Sequence, residues 1–422
     1  MTAQSDAQAL ARGPLAGIKV VEYGDLVTAP YASKLLADLG ATVVKIEAPH
    51  AGDSSRQVGP FPGDRPDAEQ SGLFIYLNGK KRGVTLDLTS ATGRGLFDRL
   101  IADADVLIEN ATPGDCERMG LAPQRLRGVN GNLIHLSITP FGHNGPYSAH
   151  TGYALNIEAM SGAVLGNGEA DREPLPLPDF LSDWFTGTVG AMSCMLAITG
   201  VESGDGDGDG DGAGGGEWID LSSANAWMTF QTGTGVVAWL FGSQRTLRQG
   251  RRHRGGPYPW TIMPCKDGEF RLIAMTKREW NRFVGVMGTP EWSKDERFQD
   301  RIKMNELHAD ELDALIEPWF AERTKAELFE QFYEAGVPFT PVLDFRDVLE
   351  DPQLNARDFF VEVEQPGVGT LTMPGAPYHF SESERAGSRA APALGQHNYE
   401  VFCEELGMEP SELVALAQAG VV

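Results

Sequence analysis

The sequence predicts an α/β protein with a doubly wound, Rossmann-like N-terminal part, and three observations predict it. Strand-like apolar runs alternate with helical periods between residues 18 and 138. At 422 residues the chain is too long for one hydrophobic core, so two domains are expected. Beyond a Gly/Asp-rich run at 204–216 the composition shifts to a region richer in aromatic residues and helical patterning.

Each element follows from local chemistry. Ile18 to Tyr23 reads as a strand. Pro30 opens a helix with apolar Tyr31, Leu35, Leu36 and Leu39, stopped by Gly40. Ala41 to Ile46 is the next strand, which completes a βαβ unit and implies a parallel pair. Val84 to Leu88 precedes a helix through Leu96 and Leu100, and Val106 to Ile108 and Leu133 to Ile138 follow as strands. No G-x-G-x-x-G follows the first strand, where the chain reads Gly24-Asp25-Leu26-Val27-Thr28-Ala29-Pro30, so a nicotinamide dehydrogenase is disfavoured. Ligands of such sheets still bind outside the carboxyl ends of the strands.

In the run from Pro178 to Gly190, Asp183 opens an apolar segment whose Val189, Met192 and Leu196 recur at helical spacing. Ser182 suits an N-cap, which puts Asp183 in the first turn, where the helix dipole favours the ionised form a nucleophile needs. Gly187, Gly190 and Ala191 allow a close approach by another segment. Simple capping explains such an aspartate equally well.

The Gly/Asp run resembles a calcium loop only superficially. With Asp205 as first ligand, the bidentate acid falls at Gly216, and Glu217 is one place late. A flexible surface insertion ahead of Trp218 to Leu221 is expected instead. Further on, Glu306 to Trp319 and Lys325 to Tyr333 read as amphipathic helices. Lys266 to Glu269 reads as a turn between strands, and Phe360 to Val363 and Leu371 to Met373 as later strands.

The charge of −24 (35 basic against 59 acidic side chains) and a pI near 4.7 count against nucleic acid as the partner. Basic clusters at Lys80-Lys81-Arg82 and Arg251-Arg252-His253-Arg254 are compatible with a phosphate-bearing ligand or with plain solvation. The cysteines at 116, 194, 265 and 403 show no CxxC or Cys/His clustering. Neither a metal site nor a disulfide framework is expected, and the pattern fits a reducing, cytoplasmic location. No run reads as a membrane span or signal core.

Five runs carry a further signal: Pro14 to Val20; Leu36 to Glu47 with Gly52-Asp53; Asn78 to Arg82 leading to Thr85-Leu86-Asp87-Leu88; Ala104 to Asn110 with Pro113-Gly114; and Phe141 to Tyr147. In this order the chain resembles the class III CoA-transferases, the group containing formyl-CoA and carnitine CoA-transferases. The resemblance covers nearly the whole chain, including Gly336-Val337-Pro338 and Gly375 to Tyr378. It implies a catalytic aspartate four residues before a glycine, which Asp183 and Gly187 match and Asp179 does not.

The resemblance further implies attack of Asp183 on an acyl-CoA thioester, a mixed anhydride, an aspartyl-CoA thioester and transfer of CoA to a carboxylic acid. Acyl-CoA would be the substrate, with no permanently bound cofactor. A glycine-rich loop of the small domain lies over the active site in the family, and Gly255-Gly256 is the candidate for oxyanion donation. By position, Val27, Thr28, Lys80, Lys81, Asn110 and Arg118 would bind CoA. Two departures concern the nucleotide: Ala48-Pro49 stands where some members carry Arg, and Thr28-Ala29-Pro30 replaces Ala-Gly-Pro.

The family also implies an interlocked, ring-like homodimer. Each chain would have a large Rossmann-like domain (residues 1–205 plus 345–422) and a smaller α+β domain (225–330), joined by linkers at 206–224 and 331–344. Two alternatives remain. An α-methylacyl-CoA racemase would pair the aspartate with a histidine where Tyr153 stands, His150 being three residues out of register; a non-catalytic CoA-binding subunit is the other. Trp184, Phe185, Tyr153 and Trp260 suggest either an apolar portion in the acid or core packing.

Overall fold

The computed structural model describes residues 13–169, 171–203, 215–231, 233–241, 248, 250–253, 255–384 and 386–422. Residues 204–214, which hold most of the Gly/Asp run compared with a calcium loop, and Arg254 of the basic cluster lie outside the described residues.

Strand β1 (Lys19–Tyr23), helix α1 (Thr28–Asp38) and strand β2 (Thr42–Glu47) form the expected βαβ unit with β1 and β2 parallel. The chain continues through α2 (Gly72–Asn78), β3 (Arg82–Thr85), α3 (Ala91–Ile101), β4 (Val106–Glu109), α4 (Pro113–Met119), α5 (Pro123–Val129) and β5 (Ile134–Thr139). Then come α6 (Ala154–Met160), α7 (Leu181–Ser203), β6 (Trp218–Ser222), α8 (Ser223–Gln231) and α9 (Gly233–Leu240). The six strands pair in parallel in the order β3-β2-β1-β4-β5-β6. Chain order reverses between β1 and β4, which opens a crevice at the carboxyl ends of those strands. Both sheet faces are covered, so the inner strands read as continuous apolar runs rather than alternating ones. Leu107 and Phe97 pack on one face; Val20, Leu36, Ile108 and Leu136 pack on the other.

Three expectations are corrected. Helix α1 starts two residues before Pro30, and Ser182 lies inside α7 rather than capping it. Along α7, Met192 and Leu196 are 55% and 68% exposed. The buried face carries Gly187, Gly190, Ala191, Cys194, Ala197 and Ile198, because α1 and β5 press against it. A Cβ on Gly187 would sit 2.8 Å from the Thr28 carbonyl oxygen, and one on Gly190 would sit 3.0 Å from Leu136 Cδ2. Finally, Leu181–Val201 has a mean hydropathy of 1.4 and is long and apolar enough, by length and composition, to cross a membrane. Its close-packed face against α1 and β5 is that of a core helix.

The described residues fall into two compact units. The larger comprises the chain up to Ala163, Leu177–Phe241 and Ala356–Val422, and the smaller comprises Val164–Pro176 with Gly242–Asn355. Residues 225–241 thus group with the larger unit and 331–355 with the smaller, whereas the sequence gives 225–330 to the small domain, 331–344 to a linker and 345 onward to the large domain. The larger unit also holds the antiparallel pair Phe360–Gln365 and Gly369–Pro374. The smaller unit has a three-stranded antiparallel sheet and a core rich in phenylalanine, including Phe270, Phe283, Phe320 and Phe332.

At the carboxyl ends of β1 and β2 the larger unit buries an ionic network. Lys45 Nζ lies 2.7 Å from both Glu22 Oε1 and Asp53 Oδ2, and Lys81 Nζ lies 2.7 Å from Glu22 Oε2. Arg56 forks onto Glu47 at 2.7 and 2.8 Å and stacks over Phe74. Burial alone would push the Glu22 carboxyl up, but Lys45 and Lys81 hold it below the usual range. Lys45→Met strands Glu22 and Asp53 as buried charges without their shared cation. Urea unfolding should show a loss of about 3–5 kcal/mol, and unchanged stability would contradict the network's role.

Candidate active site

Helix α7 begins where Phe180 adopts a left-handed φ of 60° and its carbonyl accepts the Trp184 N–H at 2.9 Å. This turn brings Asp183 into the first helical turn, 9% exposed, on the wall of a cavity of about 510 Å³. Ser182 Oγ contacts the Ala154 carbonyl at 3.4 Å, the Ser182 N–H donates to Glu158 Oε1 at 3.1 Å, and Thr186 Oγ1 donates to the Ser182 carbonyl at 2.7 Å. Among the described residues none donates a hydrogen bond or ion pair to the Asp183 carboxylate. Burial, with the Glu158 charge second, pushes its carboxyl up to about 7. The group therefore changes between neutral acid and carboxylate near neutral pH, a perturbation of the kind found at functional sites.

The same cavity is lined by Val27, Thr28, Asn110, His150 and Tyr153. Asn110 spends its amide on the neighbouring loop: it donates to the Asp25 carbonyl at 2.8 Å and to Thr28 Oγ1 at 2.9 Å, and accepts the Asp25 N–H at 2.9 Å. Leu26 N–H and Ser54 fasten that loop further, to Asp53 and Asp25. Asn110 therefore shapes the cavity by holding the β1–α1 loop across the switch point. Tyr153, 66% exposed, precedes α6 and donates its N–H to Asn156 Oδ1 at 3.0 Å.

The profile of CoA-transferase family III matches residues 15–398. The chain belongs to that family. It is 32% identical to subunit BbsE of the succinyl-CoA:(R)-benzylsuccinate CoA-transferase of Thauera aromatica, over 93% of this chain and 94% of that one. It is 30% identical to the formyl-CoA:oxalate CoA-transferase of Streptomyces coelicolor, over 97% and 99%. A crystal structure of a CAIB/BAIF family protein from Brucella suis superposes with a TM-score of 0.80 at 29% identity, covering 93% of this chain and 99% of that one. The protein is a CoA-transferase.

In this family III CoA-transferase the cavity gathers Asp183, Val27, Thr28 and Asn110, but not the expected cations. Lys81 is fully buried and donates to Glu22, the Pro30 carbonyl at 2.8 Å and Asn78 Oδ1 at 2.8 Å, so all three donors of its ammonium are committed to the frame. Lys80 pairs with Asp38 at 2.8 Å beside a different cavity that also contains Lys34 and Tyr76. Arg118 is exposed and pairs with Asp115, which lines a further cavity of about 390 Å³ reached by Ala48, Asp53 and Asn110.

Gly255 and Gly256 belong to the smaller unit. The Gly255 N–H donates to His253 Nδ1 at 3.2 Å, His253 stacks on Trp260 at 3.8 Å, and Asn305 Nδ2 holds the Gly256 carbonyl at 2.8 Å. In this conformation the Gly255 N–H is engaged within its own loop. Trp184 packs edge-on against Tyr31 and Tyr76, and Phe185 packs on Trp227 and Phe230, so both are scaffold.

The sequence shows no Cys/His clustering, yet donor atoms of Glu109, Cys116 and His143 lie within 4.8 Å of one another. Parallel pairing sets Glu109 beside Ser137 and brings the group together, a cross-strand relation invisible in sequence spacing. Its atoms are already bonded: Glu109 accepts from Ala111 N–H at 2.7 Å and pairs with His135 Nε2 at 3.3 Å, and His143 Nε2 meets Ser137 Oγ at 2.5 Å. Burial, then the Glu109 charge, pushes the Cys116 thiol up, which favours the neutral thiol over a metal-binding thiolate.

Two outcomes follow. Gly187→Ala sets a methyl against Thr28 and Tyr31, so we expect a stability loss of about 1–3 kcal/mol in thermal melts together with reduced kcat/KM. An unperturbed variant would show that the α1–α7 distance does not govern the site. Secondly, the raised Asp183 carboxyl stabilises the fold below its unfolded pKa, and that stability is lost as pH rises through about 7. Asp183→Asn should raise the melting temperature at pH 8, reflecting on the order of 4 kcal/mol, with the gap closing toward pH 5. A pH-independent difference would contradict the burial argument.

Proposed function

We propose that this CoA-transferase moves CoA from an acyl-CoA thioester to a free carboxylic acid with Asp183 as nucleophile. One Asp183 oxygen attacks the thioester carbonyl, the C–S bond breaks, and a mixed anhydride and CoA thiolate form. The thiolate attacks the aspartyl carbonyl, releases the donor carboxylate and leaves an aspartyl-CoA thioester. The acceptor carboxylate displaces thiolate to give a second anhydride, and thiolate attack on the acceptor carbonyl returns Asp183. The observation that carries this reading is Asp183 itself, a buried carboxylate without a cation on a cavity wall, poised to ionise near neutral pH. Val27, Thr28 and Asn110, at the carboxyl ends of β1 and β4, are the proposed CoA-facing wall. The strand order supports a Rossmann-like large domain.

A homodimer, interlocked as the family resemblance implies, is the proposed assembly. In the larger unit α7, α8 and α9 leave the large apolar side chains of Met192, Leu196, Phe230, Trp239 and Leu240 exposed, which a partner subunit would cover. The absence of disulfide partners for the four cysteines supports a cytoplasmic location. His150 on the same cavity wall keeps racemisation as a second reading, since it would supply the base that Tyr153 cannot.

During turnover, hydroxylamine or borohydride should modify Asp183 as read by mass spectrometry, and Asp183→Asn should lower CoA exchange by at least about a thousandfold. An unmodified Asp183 under turnover sinks the mechanism, and rapid loss of deuterium from the α-carbon of a 2-methylacyl-CoA would favour the racemase. Light scattering should give twice the chain mass; a stable monomer overturns the dimer.

A further inference from the structure

Glu158 sits on α6 with 2% of its surface exposed. Its Oε1 accepts the Ser182 N–H at 3.1 Å, and the Ala154 carbonyl on the same helix meets Ser182 Oγ at 3.4 Å, so α6 grips the first turn of α7 immediately before Asp183. Among the described residues no lysine or arginine pairs with Glu158. A buried carboxylate without a cation is costly, and a neutral glutamine would accept the same N–H. The charge is therefore surplus to the clamp.

We propose that Glu158 is the positioning residue of Asp183: its carboxylate, holding the N–H of the residue just before Asp183, fixes the turn that carries the nucleophile and brings a second acidic group to that turn. This rests on the reading of Asp183 as nucleophile. The upward shift of Asp183, with burial first and Glu158 second among its causes, agrees with the geometry. The other ionisable groups near α7 are few. Asp25, His150 and Tyr153 line the cavity, and α1 brings Tyr31 with the paired Lys34 and Asp38. Helix α8 carries no ionisable side chain, and His135 of β5 is paired with Glu109.

The test separates clamp from charge. Infrared difference titration of the Asp183 carboxyl, full-length protein minus Asp183→Asn, reads its protonation without turnover; the pH profile of CoA exchange reads it with turnover. Glu158→Gln keeps the acceptor and removes the charge. Both midpoints should fall by about one pH unit, which is about tenfold more of the plateau rate retained on the acid limb. Glu158→Asp keeps the charge and shortens the reach to Ser182; its midpoint should stay near the wild-type value while its plateau rate falls.

An unchanged infrared midpoint in Glu158→Gln overturns the proposal, as does a plateau in Glu158→Asp equal to wild type. If Glu158→Gln does not fold, a Glu158→Asp variant with wild-type plateau decides against it. If no variant, nor the wild type, exchanges CoA, the transferase mechanism falls while the infrared midpoints still judge Glu158.

Discussion

Everything at the mouth of the parallel sheet depends on one buried ion cluster. Glu22 on β1 and Lys45 on β2 are fully buried, and Lys45 is shared with Asp53 from the loop beyond β2. Lys81, just before β3, closes the group onto Glu22. One cluster thus couples β1 and β2 to the loop beyond β2 and to the entry of β3. Desolvating these charges is expensive and is offset only by close, complete pairing. The arrangement tolerates little variation, so the β1–α1 loop is held in one place. Asn110 reaches that loop from β4 and completes the restraint across the switch point.

Asp183 is placed by a different kind of constraint. Small residues on α7 let its backbone lie close to α1, and Glu158 and Ala154 secure the first turn from the other side. Such tight packing leaves few ways for the helix to move. It also removes water from the carboxylate, which weighs against the fold once the group ionises. The fold thereby carries a stability cost at Asp183.

Much of the larger unit was legible because apolar strand runs and glycine stops are local signals. Residues 19–23, 42–47, 106–109 and 134–139 became strands close to where the pattern placed them. The spacing of Asp183 to Gly187 stood out only through the family resemblance, not through any local signal. What was hidden depended on the third dimension. Lys80 and Lys81 are adjacent in sequence and look alike, yet one is fully interior and the other borders a separate cavity. Glu158, in a short helix 25 positions upstream of Asp183, carried no local sign that it meets Ser182 in the fold. Glu109, Cys116 and His143 met only through strand pairing. The close approach expected at Gly187, Gly190 and Ala191 is where α7 packs, while its larger Met192 and Leu196 point outward.

The cavity therefore has two halves of unequal freedom. Its α7 and β1–α1 side is pinned by glycine contacts, Asn110 and buried charge. The opposite side, Ser148 to Tyr153, is a largely exposed loop held by local turns, such as the His150 N–H bonded to the Tyr147 carbonyl. A change at the α7 side would disturb the packing, whereas the exposed loop can be rewritten at little cost to folding. Diversity of substrate within one ancestry would then accumulate in these few positions, while the chemistry stays inherited.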